Sequence, residues 1–298
     1  MYRRSFFRLG CCFYRVFMIR IYFLVIFLWA VSSLQAAERD SIKVEKWLEE
    51  AKSLPQDSCR ALFFAKQMLG MPYVGGTLDN NDQEELVVHT DKVDCTTFVE
   101  TVLALVLLDK EDKRNYCCFL ETLEKIRYRD GVLKGYSSRL HYFSDWIHDN
   151  ERKGMVEEYT SEIKHSRQQT LWLDFMSTHA DSYLPMKKDS SLIGEIVLME
   201  KQWQGIPSFY IPKDKLNLSF DELKIKNGDI LAITTNIKGL DVVHVGFAFW
   251  REGCLHLLHA SSVSGKVIED PQPIYEYSKN KKAHTGVRAI RVILKREF

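Results

Sequence analysis

Residues 94–108, running from Asp94-Cys95-Thr96-Thr97-Phe98 through VETVLALVLL, constrain the fold more than any other segment. Asp94 is a good N-cap, and the turns after it are apolar on nearly every side. Such a helix is expected to be buried at the centre of the molecule, so the remaining chain has to cover it. Before it, residues 41–70 have helical spacing, with Val44, Trp47, Leu48, Ala51 and Leu54, then Ala61, Phe64, Ala65, Met68 and Leu69. Gly70 and Pro72 end that pattern. Residues 73–92 read as a loop with a short strand around Leu86-Val87-Val88, and residues 115–185 as mostly helical. From Ile193 onward strand-like runs are expected at 193–199, 230–234, 241–250, 255–260 and 287–294. Helices first and strands later predict an α+β class, with one antiparallel sheet packed on the central helix. No linker, internal repeat or low-complexity tract interrupts the chain.

Charge is unevenly placed. Lys and Arg number 41 against 40 acidic residues, for a net charge of +1, and this balance argues against nucleic acid as a partner. Yet residues 1–36 hold Arg3, Arg4, Arg8, Arg15 and Arg20 and no acid, followed by the apolar run Ile21–Val31 and Ser32-Ser33-Leu34-Gln35-Ala36-Ala37. This is the layout of a secretory signal peptide, with Met1 or Met18 as the start and cleavage after Ala36 or Ala37. An uncleaved anchor is the alternative, although the apolar run is shorter than the roughly 20 residues of a spanning helix. Removing 1–36 takes five positive charges from +1 and leaves −4. The expected product is a single catalytic domain, 37–298, exported to the periplasm or beyond, with no stable membrane partner. Its oligomeric state is open. It retains Cys59, Cys95, Cys117, Cys118 and Cys254, an odd number, so at least one thiol stays unpaired in an oxidising location.

Cys95 would be the first helical residue after Asp94. The positive end of the helix dipole favours thiolate there, and free N–H groups suit an oxyanion. A small apolar residue at a buried helix end explains the position equally well. The two strands 241–250 and 255–260 supply further chemistry. Alternation puts Val243, Val245, Phe247 and Phe249 on the core face and His244, Gly246, Ala248 and Trp250 on the other. With a two- or four-residue turn at Arg251-Glu252-Gly253-Cys254, Gly246 faces His259 and His244 faces Ser261. His244 and His259 then become diagonal neighbours about 7–8 Å apart. Gly246 and Ala248 leave room on that face, where a helix start carrying Cys95 would fit. Cys95, His244 and His259 thus offer a nucleophile, a general base and a polar partner that fixes the base's tautomer. A Cys/His/His zinc site is the alternative for the same three residues. The other histidines are scattered, and most are expected at the surface.

These segments resemble a known superfamily. Val93-Asp94-Cys95-Thr96-Thr97-Phe98 opening a buried helix is similar to the nucleophile segment of the papain-like NlpC-type cell-wall hydrolases. Pro72-Tyr73-Val74-Gly75-Gly76 resembles their tyrosine-and-glycine loop. Asn227-Gly228-Asp229-Ile230-Leu231 and Val243-His244-Val245-Gly246 look like their Gly-Asp and histidine strands, and Leu258-His259-Ala260-Ser261-Ser262 matches the third polar position. The Arg139–Ile147 segment and Phe209-Tyr210-Ile211-Pro212 point to the N-acetylmuramoyl-L-alanine amidase-like branch. The resemblance runs from about residue 45 to the end. Thr96 and Thr97 stand where a small residue usually follows the nucleophile, and the gap from Cys95 to His244 is long.

The resemblance implies a papain-like fold with a mostly helical insert at about 110–190. It also implies a cysteine amidase that needs neither cofactor nor metal and acts on peptidoglycan fragments between muramic acid and L-alanine. By the same resemblance Tyr73 sits near the nucleophile. In the insert, Arg139 would suit a stem-peptide carboxylate, Trp146 could stack on a sugar face and Tyr142 is a further candidate substrate contact, while the helical spacing of Tyr142, Phe143, Trp146 and Ile147 also fits plain core packing. The rival readings are a γ-D-glutamyl-diamino acid endopeptidase and a non-catalytic cell-wall binding module.

Overall fold

Two units divide the chain, Met1–Lys43 and Val44–Phe298. The computed structural model describes residues 38–293, so the expected signal segment 1–36 lies outside the described residues. Of the first unit residues 38–43 are described, and they are helical. No helix among the described residues is long and apolar enough to cross a membrane.

In the second unit the long helical pattern breaks in two. Residues 44–51 form one helix and α1 (Arg60–Gln67) the next, with Pro55 in the turn between. The central helix forms as expected: α2 (Cys95–Lys110) buries every residue from Thr97 to Leu108. Asp94 caps it, its Oδ1 accepting the Thr97 N–H at 2.8 Å while the Asp94 N–H donates to Thr97 Oγ1 at 2.9 Å. Such a reciprocal cap is worth about 1 kcal/mol and pins the helix start that carries Cys95. Glu100, in the buried stretch of α2, is paired with Arg127 of α3 (Tyr116–Arg127) at 2.7 Å, both side chains being buried.

The sheet has eight strands: β1 (Val156–Glu158), β2 (Arg167–Leu171), β3 (Ile206–Pro212), β4 (Ile230–Thr235), β5 (Val242–Arg251), β6 (Cys254–Ser261), β7 (Lys266–Pro273) and β8 (His284–Val292). Their order is β2-β3-β8-β4-β5-β6-β7, with β1 also on β8, and every pairing is antiparallel. Period-two alternation divides the sheet residues between two cores. Ile230, Ala232, Val245, Phe247, Phe249, Leu258 and Ala260 face α2, where Phe98 meets Phe247 edge-on at 5.6 Å. Leu231, Ile233, Ala248, Leu255, Leu257, Val287 and Ala289 pack on the other side with Ile274 of a short helix, Ile274–Lys279.

Several local expectations change. Residues 193–199 lie within a helix, Ser191–Lys201, whose buried Ile196, Met199 and Glu200 follow helical spacing. Leu86-Val87-Val88 forms no strand; instead the Val87 carbonyl accepts from Arg127 at 2.6 Å. The insert contributes β1 and β2 as well as helices, and with the residues that follow it builds its own apolar cluster of Tyr136, Tyr142, Leu173, Met176, Met186, Ile196 and Met199. Strand β7 escapes the sequence pattern because KVIEDPQP carries two prolines, which an edge strand tolerates.

Candidate active site

Glu252 and Gly253 both have positive φ, 52° and 77°, so a two-residue turn joins β5 and β6. The register is the expected one, with Phe247 opposite Leu258 and Arg251 opposite Cys254. This brings the two histidines together: His244 Nε2 lies 2.5 Å from His259 Nδ1, with the rings at 85°. Gly246 makes the approach possible, since a Cβ there would sit 2.8 Å from both His259 Cβ and the Leu258 carbonyl.

A carboxylate completes the chain. His259 is fully buried, and its Nε2 lies 3.2 Å from Asp270 Oδ2 on β7. Asp270 Oδ1 accepts the Gln272 N–H at 2.9 Å. Burial works to raise the Asp270 carboxyl, but the bonds from His259 and Gln272 hold it below its ordinary value, as the anion. The tautomers follow from this order. Asp270 can only accept, so His259 Nε2 carries a proton and its Nδ1 is an acceptor. His244 therefore donates from Nε2, leaving Nδ1 as a free lone pair.

Cys95 comes to this pair from an unexpected side. The helix start does not lie over Gly246 and Ala248: α2 covers the Val245/Phe247 face, because that apolar face and the all-apolar helix each require an apolar partner. The room beside Gly246 is taken by His259 itself. Cys95 meets β5 at its backbone, where the N–H of Val245, the residue after His244, reaches the sulfur. Helix position alone predicts a thiolate; burial, and then the charge of Asp94, instead push the thiol up to about 11. The Val245 N–H and the Thr96 hydroxyl work the other way. Burial, and then the neighbouring His259, push His244 down to about 3. Thiol and imidazole therefore rest as a neutral pair.

Two tyrosines lie within electrostatic reach of the sulfur. Tyr73 lies on a loop strapped to the helix start by the Val74 N–H to the Val93 carbonyl at 2.9 Å and the Val93 N–H to the Pro72 carbonyl at 3.0 Å. Tyr277, on the helix Ile274–Lys279, meets His259 edge-on at 5.5 Å. Burial first, and then nearby negative charge including that of Cys95, pushes each phenol up to about 12. Asp270 and Tyr277 are the residues sequence reasoning missed. Asp270 sits in a proline-rich strand, and nothing in the spacing ties either residue to His259.

The insert residues are placed elsewhere. Arg139 is buried, bonded to Asp79 and facing Glu84 at 3.5 Å, so its guanidinium clamps the 77–84 loop. Tyr142 is buried with its hydroxyl donating to Glu200 at 2.7 Å, and Trp146 is fully buried against Phe143. Neither ring lies on a surface that a sugar reaches. Among the other histidines, His256 and His284 are buried rather than exposed. Cys59, Cys95, Cys117, Cys118 and Cys254 are all free thiols. Among the described residues no group of three His, Cys, Asp or Glu side chains is arranged to hold a metal ion.

Comparison with known proteins adds independent information. The family model described as N-acetylmuramoyl-L-alanine amidase-like matches residues 63–287. A solved N-acetylmuramoyl-L-alanine amidase from Bacteroides uniformis is 38% identical, with a TM-score of 0.75, covering 80% of this chain and 100% of that one. A Bacteroides fragilis structure, provisionally named a xylanase, is 43% identical with a TM-score of 0.72, covering 76% and 99%. A Legionella pneumophila protein at 22% identity and TM-score 0.65, covering 88% and 97%, shares the fold. No curated protein matches the sequence. By the extent of the family match, the chain belongs to the N-acetylmuramoyl-L-alanine amidase-like family.

Proposed function

We propose that the protein is an exported cysteine amidase that hydrolyses the amide between N-acetylmuramic acid and L-alanine in peptidoglycan or its fragments. The observation that carries this reading is the hydrogen-bonded chain His244–His259–Asp270 ending beside the Cys95 helix start. Family membership supports the bond class, and the segment 1–36 supports export to where peptidoglycan lies.

In this mechanism the Cys95 sulfur attacks the lactyl carbonyl as its proton passes to His244 Nδ1. The new imidazolium is stabilised through His259 by the Asp270 anion. The N–H groups of Cys95 and Thr96, which have no partner within the helix, face the developing oxyanion. His244 then gives its proton to the departing alanine nitrogen, the C–N bond breaks and a thioester remains. Water, deprotonated by His244, cleaves the thioester, releasing the muramic carboxylate and regenerating the thiol. A glycosidase, as the name of the Bacteroides fragilis structure suggests, needs two carboxylates flanking a sugar bond. The carboxylates nearest Cys95 and His244 are committed elsewhere, Asp94 to the helix cap and Asp270 to His259.

Incubating the purified protein with a muramyl-tetrapeptide and weighing the products tests the reading. Free tetrapeptide plus intact muramic sugar supports it. A sugar carrying a dipeptide indicates the endopeptidase instead. No cleavage by the wild type, or full activity in Cys95→Ala, removes the cysteine mechanism.

A further inference from the structure

One cation beside this site has no role in the mechanism. Lys281 follows the helix Ile274–Lys279, and its Nζ lies 3.2 Å from the centre of the Tyr277 ring, the ring that packs on His259. It is partly buried and enters no ion pair among the described residues. The carboxylate that acts on it is Asp270, whose two oxygens are engaged by His259 and Gln272. A second ammonium, Lys213, donates to the Lys281 carbonyl at 3.1 Å, and Lys282 is exposed next to it. The corner is thus positively charged, with an aromatic floor, and the carboxylate that acts on Lys281, Asp270, is already engaged by other partners. Burial keeps the Lys281 ammonium below its ordinary pKa, so an incoming anion meets a poorly hydrated partner.

The position relative to the reaction centre suggests what that anion is. Tyr277 packs edge-on against His259 and carries Lys281 over its ring, so the ammonium sits one ring away from the His244–His259 pair. With the scissile amide over Cys95, the departing peptide carries its first free carboxylate one residue beyond the alanine, on the D-glutamate. We infer that Lys281, seated on Tyr277, is a specificity residue that receives this stem-peptide carboxylate. The inference deepens the amidase reading and rests on it for the identity of the ligand.

Binding separates the two ideas because it needs no turnover. In the Cys95→Ala protein, calorimetry compares muramyl-L-alanyl-D-glutamate with muramyl-L-alanyl-D-isoglutamine, which differ only in that carboxylate being an amide. The acid is expected to bind tighter by roughly tenfold. Adding Lys281→Met erases that preference and leaves the isoglutamine affinity in place, whereas Lys281→Arg keeps it. A purely structural role would weaken both ligands together, and that result overturns the assignment. An equal preference in Lys281→Met, or no preference in Cys95→Ala itself, also overturns it. Failure of the wild type to cleave either ligand while the binding preference stands overturns the amidase reading and leaves Lys281 supported.

Discussion

His259 Nδ1 lies 2.5 Å from His244 Nε2, and the far nitrogen of the same ring bonds to Asp270 at 3.2 Å. One imidazole thus connects His244 to a buried carboxylate, and the direction of each hydrogen bond follows from a residue that can only accept.

Replacing Asp270 with Asn removes that direction, because an amide can present either its oxygen or its NH2 to His259. The expected loss in kcat is about 10- to 100-fold with KM little changed, smaller than for losing the base itself. Steady-state kinetics on a muramyl-peptide substrate measure it. A wild-type kcat in Asp270→Asn removes Asp270 from the mechanism.

The same pair depends on an absent side chain. Gly246→Ala places a Cβ 2.8 Å from His259 Cβ and from the Leu258 backbone, neither of which can yield easily. Thermal or urea unfolding should show destabilisation of about 1–3 kcal/mol, with kcat falling because His259 is displaced. Unchanged stability together with unchanged turnover would mean that strands β5 and β6 are less tightly apposed.

Cys95 should react with iodoacetamide as an ordinary, suppressed thiol. With its pKa pushed up to about 11, first by burial and then by Asp94, the alkylation rate should rise about tenfold per pH unit between pH 7 and 9. Mass spectrometry of the Cys95 peptide separates it from the exposed Cys117 and Cys254. A rate plateau across that range would indicate a preformed thiolate–imidazolium pair.

Acid should destabilise the fold through His244 and His284. Burial, and then neighbouring positive charge, push His244 down to about 3 and His284 to about 4, against an ordinary 6.5. Below pH 6.5 the unfolded chain binds these protons and the folded one does not, so stability is lost as pH falls from about 6.5 to 4. Melting temperature against pH should therefore slope less in His284→Asn than in the wild type. Parallel curves would contradict the assignment for His284.

The Glu100–Arg127 pair ties α2 to α3 in a fully buried setting. Arg127→Met strands the Glu100 carboxylate without its partner and should cost about 3–5 kcal/mol by urea denaturation. The double change Glu100→Leu with Arg127→Met should recover much of that loss. Equal losses in the single and double variants would show that packing, rather than charge, dominates at this contact.

Local features set by neighbouring residues were legible in the amino-acid sequence alone. The Asp94 cap placed Cys95 at the first position of α2, because capping is decided within three residues. The Glu252-Gly253 turn and period-two alternation placed His244 and His259 on one face, because a two-residue hairpin leaves one register. Tertiary structure decided the rest. Alternation says which residues share a face, not which element covers it, so α2 packs against Val245 and Phe247 instead of over Gly246. Arg139, Tyr142 and Trp146 carry side chains suited to ligands, yet Asp79, Glu84, Glu200 and Phe143 occupy them. Asp270, Tyr277 and Lys281 reach the histidines through strand order and helix packing, which local sequence does not encode, since distant apolar surfaces choose their partners only when the chain folds.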